Sequence, residues 1–179
     1  MFKNFTSALF KEDKGFTLIE LMVVMAIISI MTAVVLANYR GGNQQLALDR
    51  SANKLAQDIR RAQDMAMSPR EECGGDPAFH GGYGIQLKGN EPSRYLLLAD
   101  CNDDKNLDSG DDEVLEQINF EPGVEIVALT SNNLRIIFSP PDPITVFMPS
   151  GYDNVSIELG ISGYSKTIHV NEAGLIYVE

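Results

Sequence analysis

Residues 15–39 read GFTLIELMVVMAIISIMTAVVLANY, and this stretch decides the architecture. From Leu21 to Tyr39 no side chain is charged, and the longer apolar run beginning at Phe16 contains a single charge, Glu20. As a helix, Phe16 to Ala37 spans about 33 Å at ~1.5 Å per residue, enough to cross a hydrocarbon core of ~30 Å. The residues in front of it carry Lys3, Lys11 and Lys14 against Glu12 and Asp13. Positive charge ahead of an apolar span is retained in the cytoplasm, which directs the rest of the chain outward. A cleaved secretory signal needs a shorter core ending in a small-residue site, and neither Met31-Thr32-Ala33 nor Leu36-Ala37-Asn38 supplies one. A plain signal anchor satisfies the hydropathy but leaves Glu20 unexplained. A carboxylate within the apolar run costs on the order of 2.5–3.5 kcal/mol unless a partner neutralises it.

The octapeptide Lys14-Gly15-Phe16-Thr17-Leu18-Ile19-Glu20-Leu21 resembles the cleavage and methylation signature of type IV prepilins and of the pseudopilins of type II secretion. The resemblance implies a prepilin peptidase, a membrane-embedded aspartyl protease, as a partner. It implies cleavage between Gly15 and Phe16, N-methylation of the new terminal Phe16, and an assembly role for Glu20 as fifth residue of the mature chain. The chemistry agrees with this. Glycine at the scissile position leaves the backbone accessible, having no side chain to obstruct the protease. Cleavage creates a charged amine at Phe16, which the Glu20 of a neighbouring subunit can neutralise in a packed bundle. Removing one partner of such a buried pair costs roughly 3–5 kcal/mol, so the pair acts as a register device.

Beyond the span, Leu48, Ala52, Leu55, Ala56, Ile59, Ala62 and Ala66 recur at helical steps, with Asp49, Arg50, Lys54, Asp58, Arg61 and Asp64 mostly elsewhere. This is an amphipathic stem helix able to lie on a sheet, ending near Ser68 because Pro69 disfavours helix in the residue before it. Gly41-Gly42 costs up to ~1 kcal/mol per glycine in a helix, and marks a kink, a stretch that unwinds on packing, or a simple linker between anchor and domain. From Tyr83 the pattern changes to nine short β-rich runs: 83–88, 94–99, 114–120, 124–130, 134–139, 144–148, 155–159, 166–170 and 175–178. Turn signals separate them, among them Gly89-Asn90-Glu91-Pro92, Ser131-Asn132-Asn133 and Asn171-Glu172-Ala173-Gly174. The division is therefore a leader at 1–15, a transmembrane helix at 16–39, a stem helix at 40–68 and an extracytoplasmic β domain at 69–179. The fold class is α+β.

The order of these elements, and the terminal run Lys166-Thr167-Ile168-His169-Val170-Asn171-Glu172-Ala173-Gly174-Leu175-Ile176-Tyr177, resemble the minor H-type pseudopilins, the GspH and FimT-like family. That resemblance implies a long N-terminal helix packed on a C-terminal antiparallel β-sandwich. It implies a structural subunit, a minor one, of a type II secretion pseudopilus or type IV pilus, held in the inner or cytoplasmic membrane and joined there by other pilin or pseudopilin subunits.

In 179 residues, 14 Lys and Arg stand against 25 Asp and Glu, a formal charge of −11. Removing the leader's three lysines and two acids leaves 11 and 23, a net −12. Non-specific nucleic-acid affinity comes from cations neutralising phosphates, so no nucleic-acid partner is expected. A ligand- or DNA-binding tip subunit on the same anchor is the alternative function. Cys73 and Cys101, the two cysteines, lie in the part directed outside the cytoplasm and could form a disulfide. In the acidic run 100–113, Asp100, Asn102, Asp104 and Asp108 fall at steps one, three, five and nine of an EF-hand-like loop, where oxygens hold calcium. Lys105 replaces the glycine of step six and Asp111 the bidentate Glu of step twelve, so a solvated turn is favoured over calcium, and no other cofactor is expected. His80 and His169 have no nucleophile placed beside them, and no G-x-S-x-G, P-loop, CxxC or metalloprotease helix occurs. The chain reads as no enzyme.

Overall fold

The computed structural model describes residues 15–68, 82–102, 104, 112–139 and 144–179. They belong to two compact units, the first closing at Gly41 and the second opening at Gly42. One helix, α1 (Leu18–Met67), contributes residues to both.

In the first unit α1 starts at a cap. Thr17 stands outside the helix, its carbonyl accepting from the Glu20 and Leu21 N–H groups and its Oγ1 from the Glu20 N–H at 3.3 Å. The side chains from Phe16 to Leu36 are exposed on all sides of the helix. The hydroxyls of Ser29 and Thr32 donate to the carbonyls of Met25 and Ile28, each at 2.8 Å. They thereby leave no side-chain donor of their own facing outward in the apolar run. The helix is long and apolar enough to cross a membrane. Apolar surface all round a helix requires lipid or neighbouring helices to cover it.

In the second unit α1 buries Leu48, Ala52, Leu55, Ala56, Ile59, Ala62 and Ala66, the stripe that the sequence spacing marks, together with Met65. It ends with the Ser68 N–H on the Met65 carbonyl, immediately before Pro69. Gly41 and Gly42 lie inside the helix, which does not break into a linker there.

Among the described residues nine strands follow: β1 (Tyr83–Lys88), β2 (Arg94–Ala99), β3 (Glu113–Asn119), β4 (Glu125–Leu129), β5 (Asn133–Ser139), β6 (Ile144–Met148), β7 (Asn154–Ile161), β8 (Tyr164–Asn171) and β9 (Ile176–Val178). They form two antiparallel sheets, in the orders β3-β2-β1-β5-β6 and β4-β7-β8-β9. Alternate residues of both sheets, including Ile85, Leu97 and Ile136 in one and Ile157, Leu159 and Ile168 in the other, meet the helix stripe in one core. The nine runs marked in the sequence are these nine strands. The largest difference is at β7 and β8, which extend to a two-residue turn, Ser162-Gly163. Both turn residues have positive φ (48° and 88°), the mirror-image conformation that matches strand twist.

Polar contacts fix the helix on the sheets. The buried Tyr95 hydroxyl donates to Asp58 Oδ2 at 2.5 Å, and Lys54 Nζ lies 3.2 Å from the same oxygen. Ser51 Oγ accepts from the Glu121 N–H at 3.0 Å, Arg61 pairs with Glu116 at 2.7 Å, and Lys166 pairs with Asp49 at 3.2 Å. Arg60 Nη2 donates to the Ile176 carbonyl at 2.9 Å, on the short edge strand β9.

Burial, with the hydrogen bond to Asp58 and its charge, holds the Tyr95 phenol well above the usual tyrosine range. A raised folded-state pKa contributes stability that is complete below the unfolded value and is lost as pH rises above it. Tyr95→Phe is therefore expected to lower stability by about 1.5–3 kcal/mol at neutral pH. Chemical denaturation across pH should show the difference from the parent chain shrinking above about pH 10. A difference that is constant to high pH would contradict this.

Candidate functional site: the start of the long helix

Gly15 and Phe16 precede the helix in non-helical backbone, and both are exposed. A Cβ placed on Gly15 would meet nothing within 4 Å, so the glycine is not required by local packing in the folded chain. Phe16 is 85 % exposed. Glu20 occupies the third helical position and is exposed as well.

This geometry gives Glu20 a second basis that the sequence reading missed. Thr17-Leu18-Ile19-Glu20 has the spacing of a capping box, in which a threonine precedes the helix and an acid stands three residues on. Thr17 satisfies one of the otherwise unpaired N–H groups of the first turn. A carboxylate in that turn is favoured by the helix dipole, typically by about 0.3–1 kcal/mol. That is less than the cost of a carboxylate in a membrane, so capping alone does not account for Glu20. The segment thus presents an exposed Gly–Phe bond, a helix that begins two residues later, and a carboxylate one turn beyond Phe16.

The remaining sequence candidates separate. Cys101 is half-buried after β2 and is disulfide-bonded; Cys73 lies outside the described residues. Asp108 also lies outside them. Asp100 is fully buried, its N–H on the Gly82 carbonyl at 2.9 Å, whereas Asn102 and Asp104 are exposed. Asn102 Oδ1 accepts from the Asp104 N–H at 3.1 Å, and Asp112 Oδ1 accepts from the Cys101 N–H at 2.9 Å. Among the described residues no group of three His, Cys, Asp or Glu is placed to hold a metal ion. His169 stacks on Tyr177 with ring centroids 4.8 Å apart, its Nε2 3.6 Å from Glu179. His80 lies outside the described residues.

Comparison with curated proteins and with solved structures gives no match. Two family models do match. The model of the prokaryotic N-terminal methylation motif covers residues 11–36, the whole of the segment just described. The model of the type II transport protein GspH covers residues 51–174, which takes in the stem helix from Ser51 onward, β1 to β8 and the turn after β8. With an N-terminal methylation motif, an apolar helix and a two-sheet domain matched across well over half its length, the chain belongs to the GspH family of type II transport proteins.

Proposed function

We propose that the chain is a minor structural subunit of a type II secretion pseudopilus or a type IV pilus. In this reading it enters the inner or cytoplasmic membrane through its apolar helix, with the β domain outside the cytoplasm. Prepilin peptidase cuts between Gly15 and Phe16 and methylates the Phe16 amine. The subunit then joins others through the helix, and the Glu20 carboxylate meets the Phe16 amine of an adjacent subunit.

The observation that carries the reading is Glu20, alone in an otherwise uncharged apolar surface. The cap at Thr17 supports it, because it starts the helix just after the scissile bond and leaves that bond in backbone a protease can engage. A structural role also fits membership of the GspH family of type II transport proteins.

The N-terminus decides processing. In cells with an active prepilin peptidase, mass spectrometry of the membrane fraction is expected to find the chain starting at N-methylated Phe16. A chain still starting at Met1 would overturn the proposal. Glu20→Ala is expected to be cleaved as efficiently as the parent and to be depleted from sheared filaments by about tenfold or more, the scale of losing a buried partner. Parent-like incorporation would remove Glu20 from the assembly role.

We also propose that Cys101 is joined to Cys73, the other cysteine of the sequence. The bridge would close a loop of roughly 28 residues and stabilise the domain by about 3–4 kcal/mol. The unreduced mature chain should be lighter than the reduced one by the mass of two hydrogens, and Cys73→Ser should give a lower melting temperature. Equal masses would reject the bridge.

A further inference from the structure

The two sheets end in four edge strands, β3, β4, β6 and β9, and three of these are guarded. β4 has its bulge, the Glu125 charge and the Ile126 N–H on the Pro92 carbonyl. β9 is three residues long and offers its Ile176 carbonyl to Arg60. β3 carries Glu113 and Glu116, bulges where Leu97 and Leu98 pair with Glu116 and Val114, and is tied to α1 through Arg61. Charge, bulges and shortness are the devices that keep a strand edge from pairing with another chain. β6 has none of the three. Its five residues, Ile144-Thr145-Val146-Phe147-Met148, include no charged side chain, whereas β1 to β5, β7 and β8 each contain one. Its pairing with β5 runs in unbroken register from Arg135–Met148 to Ser139–Ile144. Among the described residues no backbone hydrogen bond leaves β6 for any element other than β5.

Both faces of this edge are apolar. Phe147 belongs to the main core, and Thr145 is buried on the same side of the strand. On the opposite side Val146 and Met148 pack with Leu96, Leu98 and Ile137 in a second apolar cluster. Leu98 and Ile137 are fully buried, while Val146 and Met148, at the edge, remain partly exposed. A strand that continues this sheet must therefore be extended, apolar on both faces and free of charge opposite β6. The β6 of a second copy meets all three requirements. Antiparallel pairing about a two-fold axis at Val146 sets Val146 opposite its own copy and Thr145 opposite Phe147, so inward residues face inward ones. The second copy also brings its own outer cluster to the seam, where the two merge. A lone strand from another protein brings no such cluster.

We propose that β6 is a self-association edge, along which two copies pair antiparallel and join their five-stranded sheets into one. The inference goes beyond the assembly reading, because the contact lies in the β domain and uses no part of α1.

The test is sedimentation equilibrium of the full-length chain in detergent micelles, where the parent is expected to form a reversible dimer. Val146→Lys sets two like charges opposite each other at the axis and is expected to raise the dimer Kd by about tenfold or more. Val127→Lys puts the same charge on the exposed bulge of β4 and is expected to leave it within about twofold. A second measurement does not rely on a weakened variant. Opposite Cβ atoms of a strand pair lie about 4.5–5.5 Å apart, so mild oxidation of Val146→Cys should trap disulfide-linked dimers in about fivefold or greater yield than Val127→Cys. A parent chain that stays monomeric, a dimer that Val146→Lys leaves intact, or equal trapping at the two positions would each overturn the proposal. Trapping of Val146→Cys to a different protein in oxidised membranes, with the purified chain monomeric, would assign the edge to that protein and overturn it as well.

Discussion

A carboxylate surrounded by membrane-length apolar helix is the constraint on which the rest of this molecule depends. Glu20 is tolerable in bulk water and in the first turn of a helix, where the dipole and the Thr17 cap favour it. It is not tolerable unpaired inside a bilayer. The chain supplies only half of the answer, because before processing it has no free amine beside that acid. In the function proposed above, removing the leader creates one. On that proposal the chemistry of maturation and the physics of insertion bear on the same residue, and cutting is what fits the subunit for a bundle.

The second unit solves an ordinary folding problem by a compact means. Two antiparallel sheets and the lower part of α1 share one apolar core, in which alternate strand residues meet a helix stripe of small and branched side chains. Ala52, Ala56, Ala62 and Ala66 let the helix approach closely, while Leu48, Leu55 and Ile59 fill the space between sheets and helix. The Asp58–Tyr95 contact places a buried polar pair in the helix–sheet interface, which rewards one seating of the helix over its neighbours. Edge strands are guarded as well: β4 by its bulge and by the Ile126 N–H on the Pro92 carbonyl, and β9 by its shortness and by Arg60.

Most of this was legible in the sequence because two periodicities are strong. Steps of three and four from Leu48 to Ala66 give the helix stripe, and the β-rich runs from Tyr83 to Val178 give the strands, with turn residues between them. What escaped was local chemistry that periodicity does not report. Gly41-Gly42 invited a break, but two glycines cost less than the hydrogen bonds of an uninterrupted helix, and α1 runs through them. The Ser162-Gly163 turn was missed because β7 and β8 were ended early, although a Ser–Gly pair between two β-rich runs is a hairpin signal. The Thr17 cap was hidden because Glu20 already had an explanation. Spacing also does not report burial: of the candidate calcium positions, Asp100 is buried just after β2, while Asn102 and Asp104 are out in solvent.

The central claim concerns a distance between two subunits, and isotope-labelled filaments measure it directly. Filaments assembled from one population labelled with ¹⁵N at the Phe16 amine and another labelled with ¹³C at the Glu20 carboxylate allow dipolar recoupling by solid-state NMR. The account predicts coupling between unlike subunits at a separation of about 4 Å, that of an ion pair. Coupling absent at any separation below about 6 Å, in filaments that contain both labels, would contradict it.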